Sequence, residues 1–137
     1  MSPKSIIEER LLALVRIALW QSDESVSLFD GMSDNEWRAV YEKSVEQGVL
    51  AVAFDGARAL PAELQPALDV KVQWGFNVQH IEKLYKRQLD TAIRLAALYN
   101  KHNISTLILK GVTNAANYPI PSHRQFGDID IYLMGDY

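Results

Sequence analysis

Two short stretches near the carboxy terminus, Leu109-Lys110-Gly111 and Gly127-Asp128-Ile129-Asp130-Ile131-Tyr132-Leu133, decide how this chain is read. The final part of the second reads as a short strand, Ile129 to Leu133, with the acids at its edge. Side chains two apart on a strand share a face, so Asp128 and Asp130 present two carboxylates together while Ile129, Ile131 and Leu133 supply apolar surface. The first reads as the end of a strand spanning Ile104 to Leu109, a run of β-branched and apolar residues that predicts a buried strand. Glycine at 111 lets backbone approach a ligand closely, and a helix start after it offers free N–H groups to an anion. Lys110 adds a point charge suited to phosphate oxygens. Arg124, in the loop before the acids, brings a planar fork that can clamp a phosphate. Paired acids next to Lys, Arg and a glycine corner suit a divalent cation holding a phosphate chain.

Between these stretches, residues 111–117 predict a short helix or helical turn. Tyr118-Pro119-Ile120-Pro121-Ser122 predicts irregular chain, because two prolines cannot sit inside a helix or a central strand. Tyr118 and Phe126 are placed as packing for this loop, each also able to stack on a base. His123 is read as a solvated loop residue.

Upstream, the chain is helical in pattern. Ser2-Pro3 supplies a cap and first-turn proline for a helix running to about Gln21, with Ile7, Leu11, Leu14, Val15 and Ala18 at helical spacing. Residues 22–32 read as a loop. Ser33 and Glu36 form a capping box opening a second helix with Trp37, Val40, Tyr41 and Val45 inward, ended by Gly48. Leu50, Ala53, Phe54 and Ala57 mark a third helix. A fourth spans about 66–100, with Trp74, Val78, Ile81, Tyr85, Leu89, Ala92, Ala96 and Tyr99 on one stripe. Glu82, Lys83, Lys86, Arg87, Asp90 and Arg94 lie opposite, as a solvated face. The fold class is therefore mixed α/β (α+β). About four helices over residues 1–103 precede a β-α-β unit over 104–137.

Bulk composition narrows the function classes. Of 137 residues, 48% are apolar, enough for a core, and the 14 basic against 17 acidic residues leave a net charge of −3. That balance provides no general field for nucleic acid. No cysteine is present, which excludes disulfides and thiolate metal sites and fits a cytoplasmic protein. The charged start, with Glu8, Glu9, Arg10 and Arg16, resembles neither a signal peptide nor a membrane span.

The order strand, Leu109-Lys110-Gly111, helix, Tyr118-Pro119, Arg124, Gly127-Asp128-Ile129-Asp130 resembles the nucleotidyltransferase superfamily with a polymerase-β-type palm, and within it the branch of uncharacterised nucleotidyltransferases. The resemblance covers residues 104–134. It implies that Asp128 and Asp130 are the catalytic, metal-binding pair for Mg²⁺ of the two-metal type. It also implies that Lys110, Gly111 and Arg124 hold a nucleoside triphosphate (NTP). The implied reaction moves a nucleoside monophosphate from the NTP to a hydroxyl or phosphate of a small-molecule, protein or RNA acceptor. The superfamily normally adds a third carboxylate on a later strand. Asp136, six residues beyond Asp130, would lie roughly 20 Å away along a strand and does not fill that place. The chain thus reads as an incomplete N-terminal portion of a palm enzyme, expected to bind nucleotide and metal weakly without turnover, with an exposed sheet edge that could form a homodimer by strand addition. The alternative readings are a catalytically inactive nucleotide-binding or antitoxin-like module with a degenerate palm, and a helical adaptor whose strands merely complete its core.

Overall fold

The computed structural model describes residues 2–22 and 25–135. The reading of Asp136 lies outside these residues. The elements are α1 (Pro3–Trp20), α2 (Asp34–Glu46), α3 (Leu50–Ala59), α4 (Leu68–Lys101), β1 (Ser105–Ile108), α5 (Val112–Ala115) and β2 (Ile131–Met134). Single 3-10 turns occur at Val26–Phe29, Ala62–Leu64 and Pro121–His123. The mixed α+β class is as expected. The chain forms two compact units, Met1–Gln79 and His80–Tyr137. The sequence divide at 103/104 follows the change from helix to strand, whereas compactness divides the chain within α4. Among the described residues no helix is long and apolar enough to cross a membrane.

In the first unit the helix ends follow local chemistry. The Ser2 hydroxyl accepts from the Ser5 N–H at 3.3 Å, and Gln21 ends α1 in the left-handed region. The Ser33–Glu36 capping box is complete: the Glu36 N–H donates to Ser33 Oγ at 3.2 Å, and the Ser33 N–H donates to the Glu36 carboxylate at 2.8 Å. That backbone bond from Ser33 holds the Glu36 carboxyl below its ordinary value of 4.5. The buried face of α2 is Trp37, Val40 and Ser44 with Tyr41 half-buried; Val45, expected inside, is exposed. Positions 37, 40, 41 and 44 complete one helical stripe, and Val45 stands one step further round. The Ser44 hydroxyl escapes desolvation by donating to the Tyr41 carbonyl at 2.6 Å. The expected loop at 22–32 contains the turn Val26–Phe29, which buries Phe29.

Helix α3 is buried nearly all round, and Gly56 is the reason it can be. A Cβ there would stand 2.1 Å from the Leu14 carbonyl oxygen, so α1 and α3 meet backbone to backbone. Trp74 of α4 centres this unit. It is fully buried, its indole N–H donates to the Leu50 carbonyl at 2.8 Å, and Trp37, Tyr41 and Phe54 pack on it at 6.4, 5.5 and 5.8 Å between ring centroids. Such ring pairs add to the area they bury.

In the second unit α4 continues to Lys101 with Ala92 buried and Ile81, Tyr85, Leu89, Ala96 and Tyr99 half-buried; the six charged residues expected opposite are all exposed. Asn103, at φ 62°, turns the chain out of the helix, and the Ile104 N–H closes onto the Tyr99 carbonyl at 2.9 Å. β1 and β2 pair antiparallel in the register Ser105↔Met134, Thr106↔Leu133, Leu107↔Tyr132, Ile108↔Ile131. β1 is not the buried strand expected. Thr106 and Ile108 are half-buried, but Leu107 and Leu109 are about half exposed. Directly opposed residues share a face, so Leu107 and Tyr132 form an open side and Ile108 and Ile131 a covered one.

Replacing Trp74 with alanine is expected to cost about 3–5 kcal/mol, read as a shift of the urea midpoint followed by circular dichroism. Ser33→Ala is expected to cost about 1 kcal/mol at neutral pH through loss of the cap. Because the Glu36 pKa is lowered in the folded chain, the box stabilises above 4.5 and its contribution disappears as pH falls through the lower folded value. The stability difference between wild type and Glu36→Gln should therefore shrink as pH falls below 4.5.

Candidate active site

The corner after β1 is built on one glycine. Gly111 has φ 73° and ψ −102°, a conformation closed to side-chain-bearing residues. A Cβ there would lie 3.0 Å from the Phe126 ring and 3.3 Å from the Asp128 carbonyl oxygen. Gly111 is thus where the corner and the acidic segment meet. The helix after it, α5, is a single turn of four residues. That is shorter than the expected anion-attracting helix start, so the positive charge at this corner comes from side chains.

Asp128 and Asp130 stand just before β2, which begins at Ile131 and not at Ile129 as expected. The ladder nevertheless reaches them, since the Leu109 N–H donates to the Asp130 carbonyl at 3.0 Å. Asp128 is exposed and Asp130 half-buried. Lys110 Nζ lies 3.4 Å from Asp130 Oδ2, with the two side chains 67% and 39% exposed. A pair that open contributes roughly 0–1 kcal/mol and is exchanged cheaply.

Arg124 leaves the turn Pro121–His123 with its guanidinium carbon 5.8 Å from the Tyr118 ring centre and 6.0 Å from that of Phe126. The two aromatic residues expected to pack the loop do so: Phe126 also meets Tyr85 of α4 edge to face at 6.1 Å. Rings on either side hold a guanidinium without neutralising it. Among the described residues, Arg124 Nη1 is buried and has no hydrogen-bond partner. A buried donor in that condition favours an anionic acceptor.

Lys110, Gly111, Arg124, Asp128 and Asp130 all line one open cavity of about 300 Å³, joined by Gln125, Phe126 and Gly127. The structure therefore places every sequence-predicted site residue around one space. Among the described residues there is no group of three or more His, Cys, Asp or Glu able to hold a metal.

Three contributors escaped the sequence reading. His123 is buried, not solvated, and its Nε2 lies 3.5 Å from Glu82 Oε1. Tyr85 braces Phe126. Gln88 donates from Nε2 to the Gly127 carbonyl at 2.7 Å. All three contacts tie α4 to the loop, and only the 82–85–88 spacing on one helix face hints at them.

Replacing Gly111 with alanine is expected to destabilise the His80–Tyr137 unit by about 1–3 kcal/mol through backbone strain and contact with Phe126. Hydrogen exchange of amides 105–134 would show the loss there.

No curated protein and no solved structure matches the chain. The family model described as uncharacterised nucleotidyltransferase matches residues 33–136, which takes in α2 through the acidic segment and β2. The chain belongs to that nucleotidyltransferase family.

Proposed function

We propose that the cavity between the Lys110–Gly111 corner and the Asp128/Asp130 pair binds a nucleoside triphosphate together with magnesium. We further propose that the protein transfers the nucleoside monophosphate to a hydroxyl or phosphate acceptor. One observation carries this reading: two carboxylates, a lysine and an arginine with an orphaned buried nitrogen face a single space of about 300 Å³. Acids alone would repel a triphosphate, and cations alone would leave the metal unheld.

The donor set fits magnesium of the kind that arrives with its nucleotide. Magnesium keeps several waters and is commonly bound through one or two carboxylates plus substrate phosphates, so two aspartates suffice on the protein side. Asp128 and Asp130 would hold it. When bound, it supplies a Lewis acid that offsets charge building on the transferring phosphoryl group and the departing pyrophosphate.

The chain's own groups divide the remaining work. Lys110, paired with Asp130 in the absence of ligand, moves its ammonium to a phosphate oxygen once the carboxylate is otherwise engaged. Arg124, steadied by Tyr118 and Phe126, offers its fork to the phosphate chain. Gly111, lacking a side chain, leaves room at the corner for backbone to approach the ligand. As the acceptor oxygen bonds to the α-phosphorus, the bond to the bridging oxygen breaks, pyrophosphate leaves, and the proton of a hydroxyl acceptor passes to solvent; the cationic Lys110 and Arg124 side chains would stabilise the charge on the departing pyrophosphate.

Calorimetric titration of the four ribonucleoside triphosphates, with and without magnesium, tests this reading. Magnesium-dependent binding is expected, weakened about tenfold or more by Asp128→Asn or Lys110→Met, each of which removes a charge-assisted contact. Binding equal in the presence of EDTA, or untouched by Asp128→Asn, would overturn it. Pyrophosphate release on adding candidate acceptors then separates a transferase from a binding module.

A further inference from the structure

The acidic pair is held from two directions. Asp130 is fixed by the sheet through the Leu109 N–H on its carbonyl. Asp128 follows Gly127, an exposed glycine at which an added Cβ would meet nothing within 4 Å, so side-chain packing does not restrain the chain there. Besides the Gly111 corner, which lies close to the Asp128 carbonyl, α4 restrains this segment. Glu82, Tyr85 and Gln88, three apart on the helix, meet His123, Phe126 and Gly127 in the same order along the loop. The last contact is the shortest, an amide N–H on the Gly127 carbonyl at 2.7 Å. A peptide unit is planar, so the oxygen of Gly127 and the Cα of Asp128 belong to one rigid plate. Holding that oxygen fixes the plane that carries the Asp128 N and Cα, and so narrows the directions open to the Asp128 carboxylate.

From this geometry we infer that Gln88 is a positioning residue for the metal–nucleotide site: its amide orients the Gly127–Asp128 peptide and thereby aims Asp128 into the cavity shared with Lys110 and Asp130. Gln88 is not among the residues lining that cavity, so it acts through the backbone and not by touching the ligand. The inference rests on the functional reading given above. It predicts that the side-chain donor, and not the bulk of residue 88, matters for affinity.

The full chain titrated with Mg·ATP at pH 8, as wild type, Gln88→Leu and Gln88→His, tests it. Leucine keeps the helix and the apolar stem but removes the donor. Histidine, neutral at that pH, places a ring N–H near the position of the amide nitrogen. Gln88→Leu is expected to raise Kd by about 10-fold, the lower end of what loss of an outer hydrogen bond to a metal ligand costs, because the bond reaches the peptide before Asp128 and not its carboxylate. Its thermal unfolding should stay coincident with wild type, and Gln88→His should recover most of the affinity. Wild-type affinity in Gln88→Leu, or a loss that histidine does not recover, would overturn the inference while leaving the functional reading in place. Absence of Mg·ATP binding by the wild type would instead overturn the functional reading, and this inference with it.

Discussion

At Gly111 the chain turns through a left-handed conformation that side chains rarely adopt, and a Cβ there would come within 3.0 Å of the Phe126 ring and 3.3 Å of the Asp128 carbonyl oxygen. Much of the candidate site follows from that close approach. It brings the residue after β1 against the segment before β2, and so sets Lys110 beside Asp130 at 3.4 Å. It seats Phe126 between the corner and Tyr85, with Arg124 over its ring. The antiparallel ladder reinforces it through the Leu109–Asp130 bond, so the opposed charges are close because the backbone is close. Surface ion pairs this exposed are too weak to organise a loop, so the lysine–aspartate pair is a consequence of the fold and not its cause.

This division of labour suits a site that must change partners. Groups that hold shape are backbone, aromatic or amide: Gly111, Phe126 with Tyr85, Gln88 on Gly127. Groups that carry charge are left loosely engaged: Lys110 in an open pair, Asp128 exposed, Arg124 flanked by rings with one nitrogen unsatisfied. A ligand bringing both a cation and an anionic chain would meet partners for each without the scaffold having to rearrange. Membership of a nucleotidyltransferase family gives the chemical setting in which such a ligand is expected.

Much of this was legible in the sequence, for identifiable reasons. Caps and stripes are local, so the Ser33–Glu36 box and the Trp74–Val78–Ala92 face of α4 could be read directly. The ordered motif from Leu109 to Asp130 located every residue lining the cavity that carries charge. The errors are nonlocal. A continuous apolar run cannot tell a buried strand from one open on a face, and β1 proved open because nothing among the described residues covers Leu107 and Leu109. β2 begins at Ile131, two residues after the start that the apolar pattern suggested, so the acids stand just before the strand. His123 looked solvated because its burial depends on Glu82 and its neighbours on a distant helix turn. Gln88 gives no signal of its own, being one amide on a face of mixed polarity.

The central claim is that the Lys110–Gly111 corner and the two aspartates enclose one metal–triphosphate site. Amide NMR of the ¹⁵N-labelled chain with ATP and substoichiometric Mn²⁺ tests it most directly, because paramagnetic broadening falls off steeply with distance from the ion. Selective broadening is expected at residues 110–111 and 127–130, and its loss in Asp128→Asn. Broadening centred elsewhere, or none in the presence of nucleotide, would contradict it.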